Sequence, residues 1–267
     1  MAPSPDHVQE PWARSDAPLL AGGRRVVQAV LSRNTRFELY FRMLDTPIVS
    51  ELYILGRGRL RHRRIQASTQ VVIEGFPSSG NTFARQAFLL ANPHISADDI
   101  CSHTHSPRVV VKAVRAGVPA IVLARDPRDA VSSTVQRFTG IHLLSAFKYY
   151  ERYYRTLMPL KDRVVVAPFT MVIDDFASIL TQCDNAYGVE FNSAQADVSS
   201  EAILRSIENR SRARHHGNIP EGRISRPSST RLKADEFLSE LGTDEQYARD
   251  RALDAFRDFI ANAPTRP

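Results

Sequence analysis

The stretch QVVIEGFPSSGNTF, Gln70 to Phe83, decides how this chain of 267 residues is read. It opens on a β-branched apolar run and closes on the turn residues Gly75, Pro77 and Gly80, the pattern of a strand buried on both faces. From Thr82 to Leu90 the apolar residues recur at helical spacing instead. A glycine-bearing turn between strand and helix gathers backbone N–H groups and the positive end of the helix dipole at one point, and such a point binds phosphate. Gly80 lets the backbone approach the oxygens, while Ser79, Asn81 and Thr82 add side-chain donors.

Working outward, three more short apolar runs are expected as strands: RVVVKAV (108–114), AIVLA (120–124) and RVVVAPF (163–169). Helical patterns lie at Thr82–Leu90, Asp129–Phe138, Leu143–Leu157 and Phe176–Tyr187. Strands alternating with helices imply an α/β fold, a central parallel β-sheet flanked by helices. After Glu201 the pattern is helical around a polar loop from Arg210 to Arg231. Residues 1–22, rich in proline, are expected as a disordered tail, residues 23–69 as an N-terminal helical extension with a basic connector, and residues 70–262 as the α/β domain.

Composition narrows the class. With 43% apolar and 24% charged residues and no apolar window of the ~18 residues a spanning helix needs, the chain reads as soluble and globular. The N-terminal MAPSPDHVQEPWARSD has no basic segment followed by an apolar one, and the two cysteines, Cys101 and Cys183, are too few for a disulfide framework, so a cytoplasmic location is expected. The net charge is +6, of which +5 falls in residues 1–70, with 11 Arg and no Lys against 6 Asp plus Glu. Its densest run, Arg57, Arg59, Arg61, Arg63 and Arg64, reads as a solvated connector, with a weak contact to an anionic membrane surface as the alternative. No aromatic is interleaved to stack bases, so no nucleic-acid partner is expected.

Gly75, four residues, Gly80, Asn81 and Thr82 have Walker A spacing with Asn in the lysine position. Without that lysine the charge for ATP's β and γ phosphates is missing, which argues against an ATPase or ATP-dependent kinase. A second segment, AIVLARDPRDAVSS (120–133), delivers Arg125 at a strand end, starts a helix at Asp126-Pro127 and carries Ser133 within it. Arg125 and Ser133 converge on one anion, unless Arg125 merely pairs with Asp129. Two anion sites on neighbouring strands suit a ligand with two separated phosphates.

Together the two segments resemble the sulfotransferases that use 3′-phosphoadenosine 5′-phosphosulfate (PAPS). FPSSGNTF is similar to their 5′-phosphosulfate loop, and Arg125-Asp126-Pro127-Arg128-Asp129 with Ser133 is similar to their 3′-phosphate motif, over roughly residues 70–260. The resemblance implies a P-loop NTPase-like sulfotransferase fold, PAPS as co-substrate without a metal, and donor contacts at Ser78, Ser79, Gly80, Asn81, Thr82, Arg125 and Ser133. It also implies a general base in the SHTHSP segment (102–107): His105, 20 residues before Arg125, or else His103. A neutral imidazole suits removal of the acceptor's hydroxyl proton. Two His at i, i+2 without a neighbouring Cys or spaced carboxylate make no zinc site. Late in the chain Arg214-His215-His216-Gly217 faintly echoes the element that clamps the 3′-phosphate, an echo that implies Arg214 as a further donor contact.

Two positions depart from the family. Ser78 stands where a Lys or Arg contacts the bridging oxygen between sulfuryl and phosphate, help worth ~3 kcal/mol. Lys112, expected as a catalytic residue beside His105, and Arg85 are the candidate replacements. Thr170 stands where many relatives carry an acidic residue. The expected activity is sulfuryl transfer to the hydroxyl or amine of a small-molecule, glycan or lipid acceptor. The alternatives are a nucleotide-binding homologue without catalysis, prompted by Ser78, and a nucleotide kinase with a degenerate loop.

Overall fold

In this computed structural model, residues 31–46, 63–191, 199–214 and 232–261 are described. The expectations for residues 1–22, Arg57, Arg59, Arg61 and residues 215–231 lie outside them. The sheet has four parallel strands in the order β2-β1-β3-β4: β1 (Val71–Gly75), β2 (Ile100–Ser102), β3 (Ala120–Ala124) and β4 (Val165–Pro168). Every residue of β1 and β3 is buried, as the continuous apolar runs imply.

Helices cover both faces, and strand alternation sorts the side chains between them. Val72, Cys101, Ala120, Val122 and Ala124 face a core built with α1 (Arg33–Asp45), α3 (Pro107–Ala116), α4 (Pro127–Arg137), α5 (Leu143–Leu157) and α10 (Thr243–Ile260). Val71, Ile73, Ile121 and Leu123 face a second core with α2 (Asn81–Ala91), α6 (Phe169–Asp174), α7 (Phe176–Tyr187) and α8 (Ser200–Arg214). A short α9 (Ala234–Phe237) precedes α10. The α1 helix, begun by Ser32 accepting from the Thr35 amide, sends Phe37, Phe41 and Leu44 into the first core. Among the described residues, no helix is long and apolar enough to cross a membrane.

Two readings are corrected. RVVVKAV is helix α3 rather than a strand, because Ser106 caps it, Pro107 stands in its first turn and Gly117 ends it in the left-handed conformation. Its buried residues, Val109, Val110, Ala113 and Val114, repeat at helical spacing, and this periodicity outweighs the β-branched composition. The strand on the flank of β1 away from β3 is instead Ile100–Ser102, too short to register as a run. Arg63 also departs from a solvated connector: it is 5% exposed and lies near the Cys101 thiol, while Arg64 is exposed.

Candidate functional site

Register fixes where the loops meet. Gly75 at the end of β1 lies beside Leu123 of β3, so the segments 76–80 and 125–126 leave the sheet side by side. On the other flank Ile73 pairs with Ser102, and the segment 103–106 leaves there. All three emerge at the carboxyl edge, where ligands of open parallel sheets bind.

The first loop is held from within. The Phe76 carbonyl accepts the Ser79 amide at 3.1 Å and Asn81 Nδ2 at 3.2 Å. Asn81, in the lysine position, is therefore a buried strut that closes the turn. Ser79 is fully buried, so its side chain does not reach outward as a donor. Gly80, at φ 94°, sits at the N-terminus of α2, whose first amides have no acceptor within the helix. A Cβ on Gly80 would come 3.3 Å from the Phe169 ring. At Gly75 a Cβ would lie 2.7 Å from the Leu123 carbonyl oxygen and 2.9 Å from Leu123 Cβ. Gly75→Ala must push β1 from β3 at the root of the loop, an overpacking cost of ~1–3 kcal/mol. The melting temperature should fall by ~3–10 °C in thermal denaturation, and an unchanged value would show that the strands part freely.

Arg125 connects the first loop to the second. Its Nη1 donates to the Ser78 carbonyl at 3.0 Å, and its guanidinium carbon stands 4.4 Å from the centre of the Phe169 ring. Its Nε is buried without a hydrogen-bond partner. Burial lowers the Arg125 pKa, opposed by Asp129 and Asp126. Asp126 instead caps α4 and pairs with Arg128 at 2.8 Å. Thr134, one residue past the half-buried Ser133, reaches Ser78 Oγ at 3.1 Å and the Pro77 carbonyl at 3.2 Å, so α4 docks on the first loop.

The third segment holds the two imidazoles. Nδ1 of His105 donates to the Gly75 carbonyl at 2.9 Å, which leaves Nε2 as the nitrogen with the lone pair in the neutral ring. His103 lies between Ser102 Oγ, 3.0 Å from Nδ1, and Thr82 Oγ1, 3.2 Å from Nε2. His103 is half-buried and His105 is 4% exposed. Among the described residues, the non-glycine positions with positive φ are Ser78 (64°), His103 (61°) and His105 (54°), all in these loops. Backbone held this way concentrates where function demands it.

Other candidates fall elsewhere. Arg85 Nη2 donates to the Ala97 carbonyl at 2.8 Å, in the turn that leads into β2 and so toward the opposite edge of the sheet. Lys112 sits midway along α3, which runs away from the carboxyl edge, and burial lowers its pKa. Arg214 ends α8, and its side chain lies outside the described residues, as do His215, His216 and Gly217. Sequence reasoning missed Glu74 and the tyrosines of α5. Glu74 is a lone carboxylate inside an apolar strand, fully buried, accepting the amides of Thr104 at 2.7 Å and His105 at 2.9 Å. On α5, Tyr149 donates to the His105 carbonyl, Tyr150 to the Arg125 carbonyl and Tyr154 to the Leu123 carbonyl. The sequence signals were the single acid in VVIEG and the paired aromatics of YYERYY.

The chain matches no model of a known protein family, no curated protein and no solved structure.

Proposed function

We propose that this chain is a PAPS-dependent sulfotransferase, with the P-loop-like fold of those enzymes. The observation that carries the reading is Arg125: one donor holds the glycine loop at Ser78 while Nε is buried and unmet. This bond ties the two phosphate motifs together and leaves hydrogen-bonding capacity on Arg125, which supports reading the pair as neighbouring phosphate sites. In this reading the head of α2 and the Gly80 turn take the 5′-phosphosulfate end, and Arg125 with Ser133 the 3′-phosphate.

The acceptor oxygen attacks sulfur as the bond from sulfur to the bridging phosphate oxygen breaks, and the acceptor's proton passes to Nε2 of His105. The products are the sulfated acceptor and 3′,5′-diphosphoadenosine. Arg125 lies in hydrogen-bond contact with the Ser78 backbone, the position whose charge the family supplies on the leaving oxygen. The Ser78 departure also favours a second reading, a binding protein that keeps the nucleotide site without transferring sulfuryl.

Thermal denaturation separates the ligand classes. Saturating 3′,5′-diphosphoadenosine, without magnesium, should raise the melting temperature by several degrees, and ATP should not. Equal shifts from both nucleotides would overturn the PAPS reading. Labelled PAPS with a panel of hydroxyl acceptors then distinguishes transferase from binder by whether label moves.

A further inference from the structure

A carboxylate in the interior of a doubly covered strand is costly unless hydrogen-bonded. Glu74 shares the face of Val72 and lies wholly inside the first core. Its two oxygens are taken by consecutive amides, Thr104 to Oε1 and His105 to Oε2. Consecutive amides converge on one anion where left-handed residues turn the chain, and His103 and His105 are both left-handed. The segment 103–105 thus wraps an internal anion.

His105 is gripped at two further points, Nδ1 on the Gly75 carbonyl and its own carbonyl beneath the Tyr149 hydroxyl, and its flanking residues are tied by Ser106 N on Thr104 Oγ1 at 3.1 Å. The two amides that Glu74 accepts belong to the backbone of this segment, not to the ring. Gly75, which receives Nδ1, is however the next residue along the strand, so one two-residue unit of β1 holds both the backbone and the ring of His105.

We propose that Glu74 is a positioning residue for the transfer reaction: its carboxylate holds the Thr104 and His105 amides and so fixes the backbone from which the His105 imidazole projects. This rests on the sulfotransferase reading for its catalytic meaning, and on geometry alone for the positioning. The groups around the carboxylate are His105 from the loop, Tyr149 and Tyr153 from α5 and Cys101 from β2, and Asp45 at the end of α1 acts on the same two tyrosines. Burial raises the Glu74 pKa, and His105 with the two amides draws it back. A valine would fit the apolar strand, whereas a carboxylate there serves the loop.

The test uses the full chain with Glu74→Gln and Glu74→Ala. Gln keeps the shape and one acceptor oxygen but turns an NH2 toward an amide that needs an acceptor. In wild-type protein the Thr104 and His105 amides should exchange slowly, and nitrogen-15 spectra of His105 should show the Nδ1–H tautomer. In Glu74→Gln exchange at those two amides should quicken at least tenfold and the tautomer signature should become mixed, with Glu74→Ala more extreme. With PAPS and an acceptor, kcat should fall ~10- to 100-fold while the donor's KM stays within about threefold. A role in stability alone would lower the melting temperature and leave the tautomer and kcat, measured well below melting, as in wild type. That pattern in Glu74→Gln overturns the proposal, even if Glu74→Ala fails to fold. Because exchange and tautomer are read without donor, a protein that never transfers sulfuryl yet shows both changes loses the function reading and keeps the positioning one.

Discussion

His105→Ala should lower sulfuryl transfer by ~10²- to 10⁴-fold while leaving 3′,5′-diphosphoadenosine affinity within about threefold. The span is that of removing a positioned general base. Alanine keeps the backbone N–H that Glu74 accepts and removes only the ring, so the loop should persist. The Gly75 carbonyl then loses its donor, and a melting temperature a few degrees lower is expected alongside the kinetic loss. Transfer with labelled PAPS gives turnover, and calorimetry gives affinity. Wild-type turnover from His105→Ala would move the base to His103, whose Nε2 faces Thr82 at the head of α2. Ser78→Lys is the companion variant, and restoring charge beside the leaving oxygen should raise turnover. If wild type, His105→Ala and Ser78→Lys all bind the nucleotide and none transfers label, the binding-protein reading replaces the transferase one.

Arg125→Ala should weaken 3′,5′-diphosphoadenosine binding by thirtyfold or more. A forked cation on a partly desolvated phosphate is worth ~2–4 kcal/mol, and thirtyfold corresponds to the lower end of that range. Arg125 also ties the two loops together through Ser78 and lies against Phe169, so its loss removes an anchor and loosens its seat. Arg125→Lys separates the two effects: charge is kept, but the fork that reaches Ser78 and a ligand together is lost, and an intermediate affinity is expected. An unchanged dissociation constant in Arg125→Ala would falsify the assignment and leave Arg125 as a clamp on the loop.

The architecture was legible where apolar runs and punctuation agreed. AIVLA is a strand over all five residues, and Leu143–Leu157 and Phe176–Tyr187 are helices at their expected bounds. The misreading at 108–114 arose where three consecutive valines suggested a strand while the decisive signals, Ser106, Pro107 and Gly117, lay at its borders. β2 escaped notice because three residues carry no periodicity, and its existence depends on a partner far along the chain.

In the site, the residue types were readable and their directions were not. Gly80, Arg125, His103 and His105 sit on loops of one sheet edge, yet the sequence could not show that Ser79 and Asn81 turn inward to build the loop. Side-chain direction in a tight turn follows from backbone angles such as the positive φ of Ser78, which no spacing rule reveals. Nor could it show Arg85 spent on Ala97, since that bond forms only once α2 is laid along the start of β2.

The tyrosines of α5 act as a gauge block. Tyr149 and Tyr150, one helical residue and ~1.5 Å of rise apart, bear on the carbonyls of His105 and Arg125, and Tyr154 bears on Leu123 one turn further on. The imidazole segment and the guanidinium segment are thereby referenced to one rigid rod rather than to each other. A displacement of α5 against the sheet would carry both together and leave their separation nearly constant. Tilt or fraying of the rod would instead change that separation, so the tolerance of the site is set by the straightness of a helix that need touch no ligand.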